Sequence, residues 1–166
     1  MTAAYYGKYR GSVVANEDPS GLGRVRVSCP EVLGDGESSW ATPVVPYAGK
    51  GVGLFLIPPV GASGWVEFEG GDPGLPIWAG CYWADGEVPA DPAAPATKML
   101  KTDGLTLTMD DTSGSGGLSI KVASPAVSTE MTVKLTSSGI ELAIGSSKVL
   151  LSTTSVSVND GALEVM

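Results

Sequence analysis

Few side chains in this sequence are spaced for chemistry, and each such group has a plainer use. Glu67 and Glu69 stand two apart in Trp65-Val66-Glu67-Phe68-Glu69, on one face of an expected strand. A carboxylate pair is what glycoside cleavage needs, but on a half-exposed strand it reads as a solvated face. Asp110 and Asp111 with Asp103 offer oxygen ligands to calcium, yet the Gly and closing Glu of an EF-hand loop are missing. Ser113-Gly-Ser-Gly-Gly117 is glycine-rich like a phosphate loop, but it has no Lys and no helix to follow. The chain contains no histidine, which removes the commonest general base, metal ligand and neutral-pH switch together. Cys29 and Cys81 fit neither a CxxC redox pair nor a zinc site, and their strand-like contexts predict two buried small hydrophobes. Tyr5, Tyr6 and Tyr9 beside Lys8 and Arg10 are residue types that stack on single-stranded nucleic acid. The sequence therefore predicts no catalytic residue, no metal ligand and no cofactor.

Composition narrows the partners. The net charge is −8, and most of the acidic excess falls in residues 1–97. An acidic surface disfavours nucleic acid and anionic membranes as equilibrium partners. No run of apolar residues is long enough to span a bilayer, and Met1-Thr-Ala-Ala-Tyr-Tyr6 lacks the basic and apolar regions of a signal peptide. Synthesis and assembly are expected in a cytoplasm.

The elements that would position any site are strands. Residues 98–166 carry short combs of apolar residues at period two, the mark of a strand with one buried face. They are Leu105-Leu107-Met109, Leu118-Ile120-Val122, Met131-Val133-Leu135, Ile140-Leu142-Ile144, Val149-Leu151, Val156-Val158 and Leu163-Val165. Turn residues separate them, among them Ser137-Ser138-Gly139, Gly145-Ser146-Ser147 and Asn159-Asp160-Gly161. Nothing in this stretch reads as a helix that would cover the apolar face, and no aromatic is present to fill a wide sandwich. A small domain buries only about 60% of its unfolded surface and is marginal alone. Three copies pointing their combs at a common axis would solve this. The expected architecture is one third of an intertwined, trimeric, triple-stranded β-helix. Its core residues would be Leu105, Leu107, Leu118, Ile120, Val133, Leu135, Ile140, Leu142, Ile144, Val149, Leu151, Val156, Val158 and Leu163. The alternative is an antiparallel meander packed on the N-terminal half.

That half reads as strand after strand: Lys8–Asn16, Arg24–Val27, Trp40–Val45, Leu54–Ile57, Trp65–Glu69 and Pro76–Trp83, with Asp18–Gly23 a turn and Tyr47–Gly51 a loop. Short strands without helical period predict a small barrel of OB type over residues 1–83. Residues 84–97 place Pro89, Pro92 and Pro95 at every third position, which predicts a stiff extended linker.

Three motifs carry a resemblance covering residues 5–83. The first is Asp18-Pro19-Ser-Gly-Leu-Gly23-Arg24-Val25-Arg26-Val27, and the second is Trp40-Ala41-Thr-Pro43 followed by Pro46-Tyr47-Ala48-Gly49. The third runs from Ile57-Pro58-Pro59-Val60-Gly61 through Trp65–Pro73 to Pro76-Ile77-Trp78-Ala79-Gly80. Together they resemble the OB-fold domain of phage baseplate assembly protein V, the central spike of contractile tails. The VgrG spikes of type VI secretion and the spikes of extracellular contractile injection systems share that domain. The resemblance implies a non-enzymatic, membrane-piercing homotrimer that joins a baseplate hub protein to a tip protein. It would belong to a virion tail baseplate or an injection particle and meet a target membrane only transiently on contraction. Some members insert a lysozyme domain where this chain has only its linker. Others end in a histidine-held iron, which this chain cannot build. The resemblance then implies a blunt end capped by a PAAR-type protein on Ala162, Leu163, Val165 and Met166, with Tyr5, Tyr6 and Tyr9 on the hub. The competing reading is an OB-fold nucleic-acid-binding module with a β-rich oligomerisation tail.

Overall fold

The alternation in Ser63–Phe68 buries Gly64, Val66 and Phe68 and turns Ser63, Trp65 and Glu67 outward, and the first half is assembled around that strand. The computed structural model describes residues 4–165. The chain divides into two compact units, Met1–Glu87 and Val88–Met166, so the division falls inside 84–97.

In the first unit the strands are β1 (Tyr9–Ala15), β2 (Arg26–Ser28), β3 (Thr42–Pro43), β4 (Ala48–Gly49), β5 (Val52–Gly53), β6 (Ser63–Phe68) and β7 (Pro76–Cys81). A five-stranded sheet runs in the order β2-β1-β6-β7-β3, with β3 parallel to β7 and the other pairs antiparallel. Val25 and Ala41, the residues just before β2 and β3, bridge each other with backbone bonds of 2.7 and 3.3 Å. That bridge joins the two outer strands and closes the sheet on itself, as an OB barrel requires. The core is Val13, Val25, Val27, Cys29, Ala41, Val66, Phe68 and Trp78.

Several local expectations are corrected. Leu54–Ile57 is not a strand: Pro58 and Pro59 follow at once, and the segment runs as irregular exposed chain. Trp40–Val45 contributes only β3, and Tyr47–Gly51 contains β4, which pairs with β5 as a hairpin. A single-turn helix α1 (Pro30–Leu33) was not foreseen; Pro30 opens it, where a missing N–H costs nothing. Cys29 is buried as expected, but Cys81 is exposed at the end of β7. The linker is not simply extended either. Backbone bonds Glu87 to Ala84 (3.2 Å) and Thr97 to Ala94 (3.0 Å) fold it into turns, with Asp85-Gly86 and Pro95 at the turn positions those residues favour.

The second unit is one eight-stranded sheet in strict sequence order. Its strands are β8 (Thr97–Lys101), β9 (Leu105–Asp110), β10 (Gly117–Val122), β11 (Met131–Thr136), β12 (Gly139–Ile144), β13 (Ser147–Leu151), β14 (Val156–Val158) and β15 (Leu163–Val165). Every comb became a strand. Within one chain they pair as an antiparallel meander, so β9 to β14 satisfy both edges internally and only the outer edges of β8 and β15 are left unpaired. β8 was not legible, because lysines at both its second and last positions hide Leu100 from any comb.

Tight turns hold the register. Ser137 and Ser138 alone join β11 to β12, and Gly139 sits at φ +128°, where a Cβ would lie 2.1 Å from the Leu151 carbonyl oxygen. Gly139→Val is therefore expected to cost about 1–3 kcal/mol per chain and to lower the denaturation midpoint of the C-terminal unit, read by circular dichroism. An unchanged midpoint would contradict this register.

Candidate functional site

The register carries all the combs to one side of the eight-stranded sheet. Its middle row reads Leu100, Leu107, Ile120, Val133, Leu142, Val149, Val158, Leu163, each opposite the next. One flanking row reads Met109, Leu118, Leu135, Ile140, Leu151, Val156, Val165. The other reads Leu105, Val122, Met131, Ile144, ending on Ser147. All the residues expected at a trimer axis lie on this face, joined by Leu100, Met109, Val122, Met131 and Val165. The reverse face is mostly polar: beside Met99, Ala143 and Leu150 it presents Thr106, Thr108, Ser119, Thr132, Thr136 and Ser157, with ion pairs Lys134–Glu141 at 3.2 Å and Lys148–Asp160 at 2.6 Å. Asp160 donates no proton but holds the Lys148 ammonium, raising its pKa above the ordinary lysine value.

Burial on this sheet runs opposite to chemistry. Leu142 is 51% exposed and Ile144 54%, whereas Glu141 and Ala143 between and beside them are half-buried. Among the described residues of 88–165, none is buried; every buried side chain belongs to the first unit. A soluble sheet normally covers its apolar face with a second layer. No such layer comes from the described residues of the second unit itself.

The residues expected to meet a tip protein lie at the last strand. Leu163 and Val165 are each 61% exposed on the apolar face of β15, beside its unpaired edge, and Ala162 is exposed just before it. Met166 lies outside the described residues. The three tyrosines separate. Tyr5 and Tyr9 pack with Phe68 at ring-centroid distances of 5.8 to 6.2 Å, against the barrel core, while Tyr6 is 80% exposed.

The groups with possible chemistry are already engaged elsewhere. Glu67 pairs with Lys8, and Glu69 leaves the strand for a 3-10 turn, so the two do not share a face. Asp110 accepts from the Thr112 hydroxyl and backbone N–H, which hold its pKa below the usual carboxylate value, and Asp111 pairs with Lys98. Among the described residues no cluster of Cys, Asp or Glu could hold a metal ion.

The motifs of the first unit turn out to be mutual supports. The Asp18 carboxylate accepts from Arg24 Nε at 2.9 Å and its terminal nitrogen at 2.7 Å, and from the backbone N–H of Ser20 and Leu22 at 3.0 Å each. Arg24 in turn lies 5.9 Å over the Trp40 ring, which ties the first motif to the second. The guanidinium and those amides hold the Asp18 carboxyl far below the ordinary carboxylate range. A depressed folded pKa contributes stability that is complete above the unfolded value, about 3.9, and is lost progressively as pH falls from there through the much lower folded value. Asp18→Asn is thus expected to lower the barrel melting temperature by several degrees at pH 7 and by clearly less at pH 2, where part of that stabilisation is already gone. Equal losses at both pH values would contradict the ionic role.

The family model for the type VI secretion system/phage-baseplate injector OB domain matches residues 9–83. The model for the phage baseplate V C-terminal trimerisation domain matches residues 97–164, the exposed apolar sheet up to the last residue of β15. The chain belongs to the phage baseplate V family. No curated protein matches it in sequence. Membership of the baseplate V family assigns a structural baseplate or spike role, in a virion tail or secretion-system particle, and names the sheet a trimerisation domain. Among the described residues no helix is long and apolar enough to cross a membrane.

Proposed function

We propose that three copies set their apolar sheet faces around one axis to make the rigid central spike of a contractile tail. The spike joins the baseplate hub to a tip protein and is driven through a target envelope on contraction. The observation that carries this reading is the continuous apolar face of the sheet, which no other strand of residues 88–165 covers.

The dimensions suit a narrow prism. The six-residue strands β9 to β12 are ~20 Å long, and eight strands stack over ~34 Å. A triangular tube of that face width puts each sheet ~6 Å from the axis, against the ~5 Å that half a normal sheet-to-sheet spacing provides. Medium aliphatics fill that distance, whereas Phe or Trp would overfill it. The three-residue strands β14 and β15 narrow the face to ~10 Å, and three of their four axis residues are valines, shorter than the leucines before them. The shaft therefore tapers toward its C-terminal end. The middle row, including Ile120, Val133 and Leu142, points at the axis, and the flanking rows fill the corners. Three sheets wound on one another in this way form the β-helix. Stiffness follows from the unbroken ladder in each sheet and from the shared core between them.

At the end of the shaft, three copies of Ala162, Leu163 and Val165 make an apolar rim suited to a PAAR-type tip protein. At the other, the exposed Tyr6 is available for the hub, while Tyr5 and Tyr9 pack against the barrel core. Negative-stain imaging of the purified chain tests the architecture: three lobes on a thin shaft are expected. Single round particles would overturn it.

A further inference from the structure

The barrel carries a second apolar surface, separate from the sheet face. Between Ala41 and Val66 the only charged residue is Lys50. Within this stretch Tyr47 is 61%, Leu54 46% and Phe55 73% exposed. The segment is nevertheless anchored. Leu54 N–H donates to the Tyr47 carbonyl at 2.9 Å across the β4–β5 hairpin, and Phe55 and Ile57 lie so close over Gly23 that a Cβ there would sit 3.1 Å from each. The segment itself walls a cleft of about 490 Å³, with Tyr47, Leu54 and Phe55 in its lining together with Leu22 and Val52, roomy enough for an aromatic or leucine side chain.

What covers this patch is constrained in three ways. The C-terminal domain brings three copies together, and residues 84–96 between the family matches span at most ~45 Å when extended. Three barrels tethered that closely meet at millimolar effective concentration. Next, the first half of the chain is acidic, so sister barrels repel one another over most of their surface; the stretch 41–66 is where that repulsion is weakest. Finally, closed three-fold symmetry demands a head-to-tail contact, with a projection on one copy entering a hollow on the next. Phe55, 73% exposed at the wall of the cleft, is the projection this segment offers to a different surface of the next barrel.

We propose that the segment from Val44 to Ile57 is the barrel-to-barrel contact of the trimer, docking on the barrel of a sister chain. The proposal rests on the trimeric reading above, and its test separates the two. A benzophenone amino acid in place of Phe55 is irradiated in the full-length chain, whose oligomeric state is measured first by sedimentation. Asp35, exposed beyond α1, carries the same probe as a control. The expected result is covalent dimers and trimers from position 55, at least several-fold above position 35, with the cross-linked peptide mapping to residues of the other chain's barrel. A verified trimer in which position 55 gives no more product than position 35 overturns the proposal and leaves the patch to a different protein. A chain that does not sediment as a trimer removes the trimeric reading and this inference together.

Discussion

Leu142→Asp is expected to abolish the trimer. Leu142 lies in the middle row of the apolar face, between Val133 and Val149, so three-fold assembly brings three new carboxylates to the axis. An unpaired charge taken into such a core costs several kcal/mol even after relaxation, and here the cost is incurred three times within a few ångströms of like charges. The stability of a small domain is only about 5–15 kcal/mol in total, so no reserve covers it. Sedimentation should show a monomer, or an aggregate of exposed sheets, in place of the trimer. Glu141→Ala is the matching control one residue away. Its side chain sits on the polar face and pairs with Lys134 at 3.2 Å, and exposed pairs contribute about 0.2–1 kcal/mol. That variant should remain trimeric. If both variants assembled equally well, the two faces of the sheet would have been assigned the wrong way round.

Phe68→Ala is expected to unfold or severely loosen the barrel while the C-terminal unit still assembles. Phe68 is 5% exposed at the end of β6 and packs against both Tyr5 and Tyr9. Removing a buried phenylalanine costs about 3–5 kcal/mol through lost burial and the cavity left behind, a large part of a small barrel's stability. The barrel has a core of its own, built from residues of the first unit. The two units should therefore fail independently. Denaturant titration followed by tryptophan fluorescence reports the barrel, because all four tryptophans lie in residues 1–83. The expected pattern is a barrel transition moved to much lower denaturant with the trimer retained. Loss of the trimer together with the barrel would show that the sheet does not assemble by itself.

How much of this was legible in the sequence depended on whether local pattern or tertiary contact decided the outcome. The C-terminal strands were legible because each comb alternates cleanly and each turn carries its own residues, such as Asn159-Asp160-Gly161, whose Asn and Asp take positive φ. One buried face sets the register, since a slip of one residue would expose every tooth. Leu100 escaped because lysines surround it; only its register opposite Leu107 shows its face. In the barrel, Leu54–Ile57 misled because an apolar run is a strand signal only if a neighbour exists to pair with. Pro58-Pro59 and the closure of the sheet through Val25 and Ala41 leave it none. Glu67 and Glu69 parted because Gly70 takes a positive φ and turns the chain between strands. The tyrosines divided by side-chain packing with Phe68, which composition alone does not reveal. How the trimerisation domains meet is likewise a relation between chains, visible in one sequence only as an apolar face with no partner in its own domain.

The most direct test of that missing cover is sedimentation of the full-length chain over a hundredfold dilution. A discrete trimer is expected, with the β-sheet signal of residues 97–165 falling only where the trimer dissociates. A monomer that keeps its C-terminal sheet folded at every concentration would contradict the account.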